Sequence, residues 1–286
     1  MLRWRAFGNA HSLMSSPVVV VALDEETFRT APFEGTPSVT WTREIGRVLT
    51  AIVDGGAKVV GFDIVFPTSI EQSEIAFDDG KLGARLRGFD RDFLRALALG
   101  AHDGKVVLGE AQHCDLPILP SPGQRIAVGQ SANIRSLNVY NDPDDVVRRI
   151  PLSVMVDGNP QWSIVVELTS RALGSAPETA ADGTVTLSGY RIPTLVPNTM
   201  TLNFGAGPDP IPTYSLADLR ACIEVLAPPD LVRFMNEYLS AMTDIIQEQG
   251  GFVRRRIRRA ARRSQPCAKR DRRRVALLRP SAQAQP

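Results

Sequence analysis

Two aspartates close apolar runs. Asp24 ends "PVVVVALD", and Asp63 lies inside "AKVVGFDIVF". Arg148 and Arg149 follow the acidic turn "NDPDD", and Asn203 sits in "TLNF". Carboxylate, guanidinium and amide groups of this kind can pair with one another or hold a small polar molecule. Two readings follow for Asp24, Asp63, Arg148 and Asn203: structural pairs and caps, or the lining of a small-molecule pocket. His113 and Cys114 are adjacent, but no second pair has metal-ligand spacing, so no metal site is read. No GxGxxG, P-loop, HExxH or GxSxG pattern occurs, and no catalytic residue is named.

The elements that must position these residues alternate between two periods. Residues 17–26 form a short β-branched run, as in a strand covered on both faces. In "TREIGRVLTAIVDGG", Ile45, Val48, Leu49, Ile52 and Val53 make one apolar helical stripe, with Thr42 as a start cap and Gly55-Gly56 as a stop. Residues 57–66 read as a second buried strand, and such a β-α-β unit implies a parallel pair with a right-handed crossover. A helix over 89–104, capped by Asp90, and a strand over 105–113 repeat the pattern. Residues 67–88 are charged and dotted with glycine, as in a surface excursion. After Cys114 the pattern changes to a Pro-rich loop, a turn and strand around "NDPDDVVRRIPL", a helix over 163–174 ended by Gly174, and a hairpin at Ser188-Gly189. A strand over 199–207 and a helix over 212–223 capped by Ser215 follow. The fold class is therefore α/β: a parallel-sheet βαβαβ core with an additional hairpin and meander portion. An isolated amphipathic helix and a disordered basic tail come after it. When crossovers are right-handed, ligands tend to sit beyond the carboxyl ends of the parallel strands, which is where Asp24 and Asp63 belong.

Several of these pieces together resemble the second type of CHASE domain, a sensor module normally outside the membrane of bacterial receptors. They are "VVVVALDEETF", the helix ending "GGAKVVGFDIVF", "KVVLGE", "NVYNDPDDVVRRIPL" and "TLNFGAG…PTYSLADL", in the family's order. The domain is bounded at 17–223. One departure is Asp144-Asp145, where the family usually has Asp-Gly. Residues 224–253 contain "LVRFMNEYLSAMTDIIQEQGG", which resembles an early helix of the class III adenylate/guanylate cyclase domain. Leu231, Met235, Tyr238, Met242 and Ile245 form a seam on one of its faces. CHASE domains of this type are commonly fused to such cyclases, so the resemblance implies a receptor that makes cyclic nucleotides. Such enzymes need ATP and two divalent cations, Mg or Mn. Here the strand with the first metal-binding aspartate and the hairpin with the lysine and Gly-Asp pair are absent. No cofactor is assigned to this chain, and no cyclase activity is expected of it.

Length and composition set the remaining bounds. The chain has 286 residues, 43% of them hydrophobic, enough for a sizeable core. Residues 254–286 hold 13 of the 33 Lys and Arg and one of the 31 Asp and Glu, so this tail carries +12 and the rest of the chain −10. Three readings of the tail stand: an arm that binds polyanions, a solvated tail without a partner, and the product of a shifted reading frame. The sharp composition change inside a recognisable domain favours the last. Three cysteines, Cys114, Cys222 and Cys267, are widely spaced and form no disulfide framework. No run approaches the roughly 20 apolar residues that span a bilayer, and no export signal is read, so this chain made as written is expected in the cytoplasm. The intact family is membrane-bound with its sensor outside. The partners expected are an unknown small-molecule signal, a second copy or an intact cyclase, and nonspecific polyanions at the tail. Alternative functions are a free-standing module that docks on an intact cyclase and a polyanion-binding protein.

Overall fold

A computed structural model describes residues 18–113, 116–156, 158–194, 196–202 and 211–225. The helix read over 231–251, the basic tail, Asn203, Cys114 and Cys267 lie outside the described residues. The architecture is mixed α/β, with several small sheets, some of them parallel.

The first half carries β1 (Val20–Ala22), α1 (Glu25–Arg29), α2 (Thr42–Asp54), β2 (Val60–Gly61), β3 (Ala76–Phe77), β4 (Gly80–Lys81) and α3 (Leu82–Arg85). It continues through α4 (Arg91–His102), β5 (Val106–Glu110), α5 (Pro122–Ala127) and β6 (Ile134–Ser136). β2, β5 and β6 form one parallel sheet in that order, with Val60 opposite Val106 and Leu108 opposite Ile134. All of β5 is buried, as a central strand covered on both faces must be.

Strand alternation assigns those faces. Val106 and Leu108 belong to the main core with Ile45, Val48 and Leu49 of α2 and Phe93 and Leu97 of α4. Gly61 stands opposite Val107, on the other face, and a Cβ there would collide with Leu168. α2 and α4 therefore cover one face, and the helix that carries Leu168 covers the other. The two helices α2 and α4 touch at backbone level, because a Cβ on Gly46 would lie 2.8 Å from the Phe93 Cα.

The second half carries β7 (Tyr140–Asn141), β8 (Val147–Pro151), β9 (Ser153–Val156), β10 (Asn159–Trp162) and α6 (Ile164–Leu173), the helix that bears Leu168. Then come β11 (Pro177–Thr179), β12 (Val185–Leu187), β13 (Tyr190–Arg191), β14 (Thr199–Thr201), β15 (Thr213–Ser215) and α7 (Leu216–Val225). β14, β8 and β7 make an antiparallel sheet, and β11, β12 and β13 another. Gly174 ends α6 at φ +63°, and Ser188-Gly189 turn the β12–β13 hairpin at φ +50° and +79°, where sequence places both. In the turn after β7, Asp145 takes the left-handed position at φ +59° that glycine fills at least cost.

Three expectations are corrected. β1 does not pair with β2; it pairs in parallel with β15, Val20 opposite Thr213, from the far end of the domain. Thr42 does not cap α2: its hydroxyl is buried and donates to Asp90 Oδ1 at 2.5 Å. Asp90 stands before α4 but makes no cap bond either. Its other oxygen accepts from Ser69 Oγ at 2.5 Å, and its amide donates to Glu71 Oε1 at 2.8 Å. A hydroxyl's bond to a carboxylate is stronger than the neutral bond it would make to a helix amide, so two hydroxyls turn toward Asp90. Asp90 thereby fastens α2 and the 67–88 excursion to α4, whereas a cap would serve α4 alone. Ser215 does cap α7, accepting from the Ala217 amide at 3.3 Å.

Candidate functional site

A cleft of about 240 Å³ opens at the carboxyl edge of the β2–β5–β6 sheet. Gly61 and Asp63 bring in the end of β2, and Ser136 to Val139 bring in the end of β6. Ile150 and Pro151 of β8 close one side. The start of α6, from Ser163 to Val165, closes another, with Leu168 one turn further on. Most of this wall is hydrocarbon, so the few polar atoms in it decide what it can hold.

Asn138 is largely committed to the fold. Its Oδ1 accepts from the Gln112 amide at 2.7 Å and from Ser136 Oγ at 2.8 Å, and its Nδ2 donates to the Gln112 carbonyl at 2.7 Å. That ring fixes the β6 exit and leaves at most one Nδ2 hydrogen of Asn138 for a ligand. Asp63 differs: it is exposed, and its carboxylate has no hydrogen-bond or ion-pair partner among the described residues. Ser163 differs in the opposite way. It is 3% exposed, and its hydroxyl has no hydrogen-bond partner. It occupies the N-cap position of α6 at φ −64° and ψ 162° but makes no cap bond. Its amide donates to the Leu152 carbonyl at 2.9 Å, which fastens the helix start to the strand layer.

α6 is held in place from below. Arg135 Nε donates to Glu167 Oε2 at 3.0 Å, and Arg171 Nε donates to Glu167 Oε1 at 2.7 Å. Arg171 Nη1 also reaches the Gly104 carbonyl at 3.1 Å. These bonds bolt the helix to β6 and to the turn before β5, and so set where Ser163 stands.

The other sequence-nominated residues have their partners elsewhere. Asp24 Oδ1 accepts from the Thr27 amide at 3.0 Å, Thr27 Oγ1 at 2.9 Å and Ser215 Oγ at 2.7 Å. It caps α1 and ties that end to β15. Burial pushes its carboxyl up, but the bonds from Thr27 and Ser215 outweigh this and hold it below the usual value. A carboxyl depressed in the folded state stabilises the fold above its unfolded pKa, and that share is lost as pH falls through the folded value. The stability gap between the parent and Asp24→Asn, read from urea midpoints, is therefore expected to be constant above about pH 5 and to shrink below about pH 4. A gap that does not change with pH would refute this role.

Arg148 Nη1 donates to Asp142 Oδ2 at 3.0 Å and its Nη2 to Asp144 Oδ2 at 2.6 Å, while Arg149 pairs with Asp142. The guanidinium beside Asp144 brings that carboxyl down to about 2. Arg148 is thus committed to its own turn, and of the nominated residues that are described, only Asp63 lines the cleft. Asp63 was legible as a carboxylate at a strand end. Ser163 was missed, because a serine before "IVVEL" reads as an ordinary cap.

Among the described residues there is no cluster of His, Cys, Asp or Glu that could hold a metal, and no helix long and apolar enough to cross a membrane. Set against known protein families, residues 1–256 match the CHASE2 domain. The match continues through the segment read as a cyclase helix, and nothing in it shows a cyclase domain fragment. No match was found among the curated proteins or among the solved structures.

Proposed function

The chain belongs to the CHASE2 domain family, and from that premise we propose that it is the sensing portion of a bacterial adenylate/guanylate cyclase receptor. CHASE2 is a sensor domain found in signalling proteins such as cyclases, and in the intact family it lies outside the cytoplasm. The observation that carries the reading is the family match, and the cleft beside Ser163 and Asp63 gives the sensor a place to receive its signal. We assign ligand contact to Asp63 and Ser163. Asp24 and Arg148 instead hold the scaffold. The sequence of residues 224–253 resembles a class III cyclase helix but carries none of that domain's metal-binding motifs, so in this reading output comes from a cyclase domain that the sensor controls.

The test is a receptor exchange. This chain replaces the sensor of a working membrane cyclase, and cyclic AMP is measured in cells with and without Val165→Trp, which fills the cleft from its α6 wall. Output is expected to depend on the medium, and the variant is expected to fix it at one level. Output that ignores both the medium and the variant would overturn the sensor reading. The purified chain given ATP with Mg or Mn should make no cyclic nucleotide.

A further inference from the structure

We propose that the cleft binds a small aliphatic zwitterion, of the α-amino acid class. The carboxylate would meet the start of α6 and the Ser163 hydroxyl, and the ammonium would meet Asp63. This rests on the sensor reading and names its signal.

Two independent features point to the carboxylate end. α6 is ten residues long, and the amides of its first turn have no partner within the helix. A helix start favours an anion through those amides and the helix dipole. The second feature is Ser163. A hydroxyl 3% exposed would ordinarily bond to something, and at the N-cap position it would ordinarily accept from an amide two or three residues on. It does neither, and it lines the cleft. Ser163, Ile164 and Val165 all line the cleft, so a carboxylate seated against the start of α6 could take the hydroxyl together with the free amides of the first turn.

Asp63 excludes a simple anion. Its unpartnered carboxylate lines the same cleft, and a ligand that was only negative would meet a like charge with no cation in the lining to offset it. A ligand that was only positive would leave the helix amides and Ser163 unanswered. A molecule with both charges on one carbon answers both ends. Leu137, Ile150 and Leu168 supply a hydrocarbon wall, which suits an aliphatic side chain and disfavours a polar one. A volume of about 240 Å³ limits the ligand to a small one.

The test is calorimetric titration of the full chain with L-alanine, L-valine and L-leucine. Two half-ligands accompany them: 4-methylpentanoate, which lacks the ammonium, and 3-methylbutylamine, which lacks the carboxylate. At least one amino acid is expected to bind saturably, and each half-ligand at least about tenfold more weakly. Asp63→Asn and Ser163→Ala should each weaken the amino acid by about tenfold while leaving the melting temperature of the free protein unchanged, since neither side chain bonds within the fold. The proposal is overturned if none of the three amino acids binds, if 4-methylpentanoate binds as tightly, or if both variants keep parental affinity. Should the amino acids fail while the exchanged receptor still responds and Val165→Trp still fixes its output at one level, the ligand class falls and the sensor reading stands. Should the receptor be silent as well, both fall.

Discussion

Phe93→Ala is expected to cost about 3–5 kcal/mol of folding stability. Phe93 is fully buried in α4, with edge-to-face contacts to Phe62 at 6.2 Å and to Phe66 at 5.7 Å between ring centres. The cost of such a truncation depends on how far the surroundings can collapse into the void. Here they are held apart. α2 and α4 already meet backbone to backbone at Gly46, so the helices cannot close on the cavity. The upper part of the range therefore applies. Phe62 is the residue before Asp63, so the lost ring also loosens the strand exit that presents the cleft carboxylate. Urea unfolding measures the first effect, and a melting temperature lower by about 10 °C should accompany it. Phe93→Leu keeps most of the volume and is expected to cost under about 2 kcal/mol. A loss below about 1 kcal/mol in Phe93→Ala would show that the void fills, and that the contact at Gly46 does not hold the helices apart.

The same Gly46 contact shows what could be read from sequence and what could not. Ile45, Val48 and Leu49 recur at helical spacing, and all three are buried on the face that α2 turns to the sheet. That result needs only one helix and one core. The glycine between them gives no periodic signal, and its role appears only when α4 is placed against it. Strand identity was legible for the same reason: β5 opens on two adjacent valines, Val106 and Val107, and is buried throughout. Strand partners were not. β1 and β15 are separated by most of the domain, and short β-branched runs fit many neighbours equally well, so sequence alone favours the nearest run as partner.

Polar residues followed a similar rule. Gly174 and Ser188-Gly189 were readable because their function is local backbone geometry. Thr42 and Asp90 were misread because their bonds reach across the chain: 48 residues separate the two. The cleft was half legible. Asp63 follows from a carboxylate at the end of a parallel strand, where such sheets collect ligands. Ser163 becomes informative only through a bond it fails to make, which no sequence displays.

Glu167→Ala is expected to destabilise the fold by about 2–4 kcal/mol. The Glu167 side chain is 15% exposed, and its partners Arg135 and Arg171 are 13% and 17% exposed. Removing one carboxylate leaves two largely buried guanidiniums beside each other, so the loss is not merely two missing bonds. The partial exposure keeps the cost below that of a fully enclosed pair. Some of the loss is also recovered, because Arg135 retains the Ser131 carbonyl at 2.9 Å and Arg171 the Gly104 carbonyl at 3.1 Å. Glu167→Gln keeps the volume and one acceptor but not the charge, and is expected to cost about half as much. The two variants separate charge from packing: equal losses would mean that the ion pair alone holds α6 on the sheet, and a Glu167→Gln loss near zero would mean that shape does. Hydrogen exchange adds a local readout. Amides in α6 should lose more protection than those in α4, which packs on the opposite face. Uniform loss across both helices would mean that Glu167 supports the whole fold and does not specifically set the position of Ser163.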